Sequence, residues 1–156
     1  MENQSNQTES IPKITPEQSK LLQSALRIKI LHALAKEAKT AKQAAVQLQQ
    51  TPGNIHYHIQ KLHDGGFLEI VKTQTVRGVV EKYYQSLGTA FKTDARSEIE
   101  FIPGERPSHL STSLLLSDSE LEQFREELNQ LLSRWESHQS TGAEYGISIK
   151  IGRISV

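Results

Sequence analysis

The stretch TPGNIHYHIQKLHDGG, residues 51–66, carries its own beginning and its own end. Thr51 is a residue type that caps a helix by accepting a backbone N–H, and Pro52 has the fixed φ favoured at the first helical position. Gly65 and Gly66 supply a stop. Between these signals Ile55, Ile59 and Leu62 recur at intervals of three and four, so they share one face of a helix. At about 100° per residue, with the buried side centred on Ile55 and Ile59, the residues Gly53, Tyr57, Gln60, Lys61 and Asp64 point outward. Asn54 and His56 flank them, and His58 sits at the border of the buried side. The pattern predicts a helix over 52–64 with an outer face rich in hydrogen-bonding groups.

Upstream, Thr40 and Gln43 form a capping-box pair, and Ala41, Ala44, Ala45 and Leu48 follow on one helical face. Small alanines let a neighbouring helix approach closely. Gln49 and Gln50 lead directly to Thr51, so a short helix meets the second one through a tight turn, a helix-turn-helix arrangement. Earlier still, Thr15-Pro16-Glu17-Gln18 opens a helix, and Leu22, Leu26, Ile30 and Leu34 form a buried stripe beside Leu31, with one break near Ser24. Downstream, FLEIVKTQTVRGVVEKYYQSL (67–87) is β-rich on both sides of Arg77-Gly78. It predicts a hairpin with a loop near residues 74–79 and the basic residues Lys72, Arg77 and Lys82.

The remainder is less regular. Residues 88–109 contain Gly88, Pro103, Gly104 and Pro107 and suggest a linker or irregular connection. LSTSLLL (110–116) suggests a short strand, and Ser117 with Glu120 forms a fourth capping box. Leu121, Phe124, Leu128, Leu131 and Trp135 follow at spacings of three and four, a coiled-coil-like seam widened by Leu132. After the break at QSTGAE, YGISIKIGRISV (145–156) alternates, with Tyr145, Ile147, Ile149 and Ile151 on one face. The expected organisation is a disordered tail over 1–14, a domain over 15–87, a linker over 88–109 and a strand-helix-strand region over 110–156. The expected fold class is mainly α with a β-hairpin, an α+β arrangement.

Composition narrows the function. A chain of 156 residues fits one compact domain, or a small domain with an appendage. The hydrophobic fraction of 36 % allows a core but leaves some segments solvated. The absence of cysteine excludes a disulfide framework and a thiol nucleophile, and suits a reducing cytoplasm. No apolar run reaches the length of a membrane span, and MENQSNQTES lacks the pattern of a signal peptide. The net charge of zero conceals an asymmetry. Residues 1–87 hold 11 Lys and Arg against 7 Asp and Glu, whereas residues 88–156 hold 7 against 11. A basic half that meets a polyanion is one account, and chance plus one acidic helix is the other.

Three uses of the polar face on 52–64 can be weighed. A metal site fits poorly, because His56 and His58 are two apart and diverge by about 200° on a helix. His63 lies five residues from His58 and does not repair the geometry. Catalysis fits poorly too, since nucleophile elbow, phosphate loop and zincin patterns are all missing, and Ser117 and Ser119 are explained by capping. Reading a surface fits best. Asn and Gln pair with adenine edges and aromatic groups touch thymine methyls in the major groove. The base-reading candidates are therefore Gly53, Asn54, His56, Tyr57 and Gln60, and His58 is assigned a structural hydrogen bond.

The run LRIKILHALAKEAKTAKQAAVQLQQTPGNIHYHIQKLHDGGFLEIVKTQTVRGVVEKYYQ resembles the winged helix-turn-helix domain, and within that class the bacterial and archaeal ArsR-like regulators. The resemblance covers roughly residues 18–87 and is carried by IHYHIQKL, the glycine stop, FLE and the hairpin ending EKYY. It implies DNA binding. Many ArsR-like proteins sense metals through cysteines, or through Asp and His on a terminal helix. Here there is no cysteine, and Asp118 and His138 are too far apart to share an ion within one helix.

These considerations predict a homodimeric repressor of transcription that binds double-stranded DNA, without catalytic residues, cofactor or metal. Backbone and wing contacts are expected from Lys42, Gln43, Thr51, Lys61, Lys72, Arg77 and Lys82, with Arg77 entering a minor groove. The dimer contact is expected from Leu22, Leu121, Phe124, Leu128, Leu131 and Trp135, although the same seam could pack on the C-terminal strand. Any small-molecule effector is expected between the C-terminal region and the DNA-binding domain, although the sequence carries no cofactor motif. The rivals are a protein-interaction winged helix without DNA binding, and a ligand-binding or enzymatic unit in the C-terminal half.

Overall fold

In the computed structural model, which describes residues 11–93 and 99–155, four short helices precede a β-hairpin. The strand β1 (Lys13–Ile14) leads to α1 (Pro16–Leu21), α2 (Ala25–Ala33), α3 (Ala41–Leu48) and α4 (Pro52–Asp64). Then follow β2 (Leu68–Val76), β3 (Val79–Ser86), β4 (Lys92–Thr93) and α5 (Asp118–Glu136).

Each helix starts where its local chemistry dictates. Thr15 and Thr40 form reciprocal capping boxes with Gln18 and Gln43, and Ser24 and Thr51 cap by accepting from Arg27 and Asn54 N–H groups. Ser24 divides the leucine stripe into two helices. Leu22 closes the first of them and is half-buried against the chain's own core.

The core joins Ile30, Leu31 and Leu34 to Ala44, Ala45 and Leu48, to Ile55, Ile59 and Leu62 of α4, and to Phe67, Leu68 and Tyr84. The alanine face of α3 lies against α4, as small side chains allow. The two glycines after α4 have different duties. Gly66 takes the left-handed φ of 81° that ends the helix, whereas a Cβ on Gly65 would stand 2.5 Å from Leu21 Cδ1. The Gln18 amide also donates to the Gly65 carbonyl at 2.8 Å, clipping α1 to the end of α4.

The hairpin is tighter than expected. Its strands run to Val76 and resume at Val79, so only Arg77 and Gly78 form the turn, with φ of 50° and 79°. Two consecutive left-handed residues are the hairpin turn whose twist matches the strands. The base of the hairpin is bonded to the helical body. Lys39 and Tyr84 exchange backbone hydrogen bonds at 3.0 and 2.9 Å, and the Ser86 N–H donates to the Leu34 carbonyl at 3.0 Å.

Two boundaries differ from expectation. Residues 13–14, assigned to the tail, pair in parallel with 92–93, assigned to the linker. Phe91 packs edge-on to Phe67 with ring centroids 4.9 Å apart. This distant pairing lies beyond any local signal. Residues 1–10 of the expected tail lie outside the described residues.

In the C-terminal part the helix stands as expected, with a Ser117–Glu120 capping box, but the flanking strands do not. Residues 110–116 and 145–155 are not strands, because neither has a backbone hydrogen-bonding partner among the described residues. The helix meets α2 through a contact of 2.8 Å between His32 Nε2 and Glu136 Oε2. Leu121, Leu128 and Leu132 are half-buried, while Phe124, Leu131 and Trp135 are exposed.

Candidate nucleic-acid interface

The turn from α3 to α4 fixes where the polar face points. Gln49 closes α3 with a left-handed φ of 54°, which swings the chain so that Thr51 can start α4 at once. Ile55, Ile59 and Leu62 anchor α4 in the core with no exposure, so the opposite side must face outward. Thr51, Gly53, Asn54, His56, Tyr57 and Lys61 are all exposed there. Lys61 Nζ lies 5.7 Å from the centre of the Tyr57 ring, placing a cation over an aromatic face at the middle of the patch. The Asn54 amide donates to Gln50 Oε1 at 3.1 Å, which orients it along the helix start. A Cβ on Gly53 would meet nothing within 4 Å, so the chain's own packing does not require glycine there.

Gln60 departs from expectation. It is half-buried, and its amide donates to the hydroxyl of buried Tyr84 at 3.2 Å. Its edge is thus held by the hairpin, whereas Asn54 is exposed and bonded only to the exposed Gln50 beside it. Burial raises the Tyr84 phenol above its ordinary value, with Asp64 adding to the effect and the Gln60 bond opposing it. The group is a neutral hydroxyl, able to accept from Gln60. Gln43 is also partly committed, because its Oε1 accepts the Thr40 N–H at 2.9 Å. Lys42 beside it is exposed.

On the hairpin, cross-strand register separates the lysines. Lys72 is opposite Tyr83 and Thr73 is opposite Lys82, so Lys72 and Lys82 stand on opposite faces. One straight run of phosphates cannot meet both. Lys72 Nζ lies 5.1 Å from the Tyr83 ring centre. Arg77 occupies the tip, in a left-handed position where Asn, Asp or Gly is the favoured occupant. Arg77→Asn is expected to raise unfolding stability by about 1 kcal/mol, read from the urea midpoint, because the left-handed backbone is costly for arginine.

His58 has the structural role expected, with a partner that sequence reasoning missed. Its Nδ1 accepts from Arg27 Nε at 3.3 Å, and Arg27 Nη1 donates to the Leu21 carbonyl at 3.0 Å. One guanidinium thus ties the end of α1 and the body of α2 to α4. Arg27 and His58 are 31 residues apart, and no local pattern links them. Burial, and next the charge of Arg27, hold the imidazole below its ordinary pKa. The depressed folded value means the unfolded chain binds the proton more readily. His58 therefore contributes stability that is present above the ordinary imidazole pKa and is lost as pH falls through it toward the folded value. Urea midpoints between about pH 7.5 and about pH 5 should fall on acidification, and His58→Gln should flatten part of that fall.

Lys42 at the start of α3, Lys61 on α4 and Arg77 at the wing tip are exposed, whereas α5 begins with Asp118 and Glu120. Among the described residues, no three His, Asp or Glu side chains come together in a way that could hold a metal ion. No helix among them is long and apolar enough to cross a membrane.

The family model of a helix-turn-helix domain matches residues 22–71, from the end of α1 into β2. No curated protein matches the chain. The matched segment contains both helices of the motif and the turn between them. The helices together with the antiparallel β2–β3 hairpin fit the winged form of this domain.

Proposed function

We propose that this chain is a sequence-specific regulator of transcription, of the ArsR-like winged helix-turn-helix type, that binds double-stranded DNA as a homodimer and represses by occupying a promoter. The observation that carries this reading is the exposed face of α4. Thr51, Gly53, Asn54, His56 and Tyr57 project from a capped helix start immediately after a tight turn. That is the part of a recognition helix that enters a major groove. Asn54 and Tyr57 are the main base-reading groups, and His56 flanks them. The open space over Gly53 lets a duplex come close to the backbone.

Gln60 acts here as a positioning residue, since its amide fixes the angle between helix and wing through Tyr84. Thr51, Lys42, Gln43, Lys61 and Arg77 take phosphate or groove contacts. Lys72 and Lys82 divide between the two faces of the hairpin, and at most one of them meets the same stretch of backbone.

The test is selection of bound sequences from a randomised duplex library, followed by variants on the selected site. A pseudo-palindrome is expected, with half-sites about one or two helical turns apart. Asn54→Ala should cost roughly 1–3 kcal/mol of binding and relax one base position. Gln60→Ala should weaken binding without relaxing the base position that Asn54 reads. Arg77→Asn should weaken DNA binding while it strengthens the fold, so stability and affinity move in opposite directions. If no sequence is enriched, or if Asn54→Ala binds every sequence as the parent does, α4 does not read bases.

A further inference from the structure

The segment 145–155 leaves an unusual surface uncovered. It turns back after α5, with Glu144 Oε1 accepting the Ala25 N–H at 2.5 Å and Arg153 Nη2 lying 3.8 Å from Asp118 Oδ1 at the start of α5. Nineteen helical residues and nine extended ones both span roughly 30 Å, so the segment is the right length to run beside α5. Its backbone makes no backbone–backbone hydrogen bond among the described residues. Tyr145, Ile147, Ile149 and Ile151 alternate along it and are between 40% and 81% exposed. On α5, Phe124, Leu131 and Trp135 are also exposed. An extended apolar edge of this kind is one that soluble chains cover or pair.

We propose that residues 145–153 form an antiparallel β-ribbon with the same residues of a second copy, on a two-fold axis through Ile149. The inference rests on the dimeric reading above and specifies its interface. The argument is self-complementarity. Read about Ile149, the sequence YGISIKIGR places Ile147 opposite Ile151, Gly146 opposite Gly152, Ser148 opposite Lys150 and Tyr145 opposite Arg153. Both cations then meet a neutral partner, one of them an aromatic ring. A parallel, in-register pair would instead set Lys150 against Lys150 and Arg153 against Arg153, which cross-strand repulsion disfavours.

The helices agree with this choice of symmetry. The same axis runs the two α5 helices antiparallel. The acidic first halves, with Asp118, Glu120, Glu122, Glu126 and Glu127, then lie against the partner's second half, which carries Arg134 and Glu136, and not against each other. The rival within the chain, LSTSLLL, breaks its alternation at Leu114-Leu115-Leu116 and presents no charge to match Lys150 or Arg153.

The chain has no cysteine, so single engineered thiols report the register directly. Under mild oxidation of the full chain, Ile149→Cys should form a disulfide-linked dimer on a non-reducing gel, since it lies on the axis. Ile147→Cys or Ile151→Cys alone should not, because like residues are then roughly 13 Å apart, but a mixture of the two should cross-link at least about tenfold more. Ile149→Pro should raise the dimer dissociation constant at least about tenfold by sedimentation, with the helical circular dichroism retained. A monomeric parent at tens of micromolar overturns the proposal. So does a dimer in which Ile149→Cys fails to cross-link, or an intrachain bond between Ile149→Cys and Leu114→Cys. A dimer that binds DNA without the cross-link removes this interface and leaves the regulator reading intact. A cross-linked dimer that shows no salt-dependent DNA binding does the reverse.

Discussion

Raising monovalent salt from about 50 mM to about 200 mM is expected to weaken duplex binding by roughly 10³-fold. The expectation follows from counterion release. Each phosphate neutralised by Lys or Arg frees condensed cations, and the affinity then depends on a power of the salt concentration. Lys42 at the start of α3, Lys61 on α4 and Arg77 at the wing tip are exposed. On the dimeric reading, two copies bring six cations to the duplex, before either hairpin lysine is added. The logarithmic slope should be near −5, from roughly −0.9 per phosphate. Arg77→Ala should reduce that slope by about two for the dimer, one per wing, and do so on specific and random sequences alike. A slope near zero would remove DNA as the partner and leave the outer face of α4 to contact protein.

The second large effect concerns the fold. Ile59→Ala should destabilise the domain by about 2–5 kcal/mol, measured from the urea midpoint at unchanged slope. Ile59 has no exposed surface and lies where α4 meets the core shared with α2 and α3. Truncation removes transfer energy and leaves a cavity that rigid neighbours cannot fill. Small domains have only about 5–15 kcal/mol in total, so a sizeable share of the chains would unfold near body temperature. Ile59→Val is the graded control, at about 0.5–1.5 kcal/mol. Tyr57→Ala is the contrast. Only two residues away but 54% exposed, it should change stability by less than about 0.5 kcal/mol while impairing DNA binding. A loss below about 1 kcal/mol for Ile59→Ala would mean that α4 is not seated as described.

Local chemistry explains what the sequence made legible. Thr15, Thr40, Thr51 and Ser117 each announce a helix within four residues, and all four helices start there. Arg77-Gly78 announces the turn, although the strands reach closer to it than composition suggests. The buried side of α4 follows from periodicity alone, and so does its exposed side. What escaped are pairings between distant residues. Arg27 with His58, Gln60 with Tyr84, and 13–14 with 92–93 have no local signature, because each depends on how separate elements pack. For Gln60 this matters most, since a helical wheel shows where a side chain points and not what it already holds. The segments 110–116 and 145–155 illustrate a related limit. Alternation records that one face is apolar, but a strand exists only where another edge bonds to it.

Tyr84 joins three parts of the molecule. Its backbone bonds to Lys39, its ring is buried in the core, and its hydroxyl accepts from Gln60 on α4. The helix and the wing are therefore jaws of one caliper, with a phenol as the rivet. On the DNA-binding reading, such a tool has a fixed gape. It grips a duplex whose neighbouring grooves already have the right spacing, and it charges any other duplex the energy of being bent to fit. Selectivity would then extend to base pairs that no side chain touches. Because burial raises the phenol above its ordinary value, the rivet is a neutral hydroxyl at neutral pH, and acidification should leave the gape unchanged while the domain remains folded.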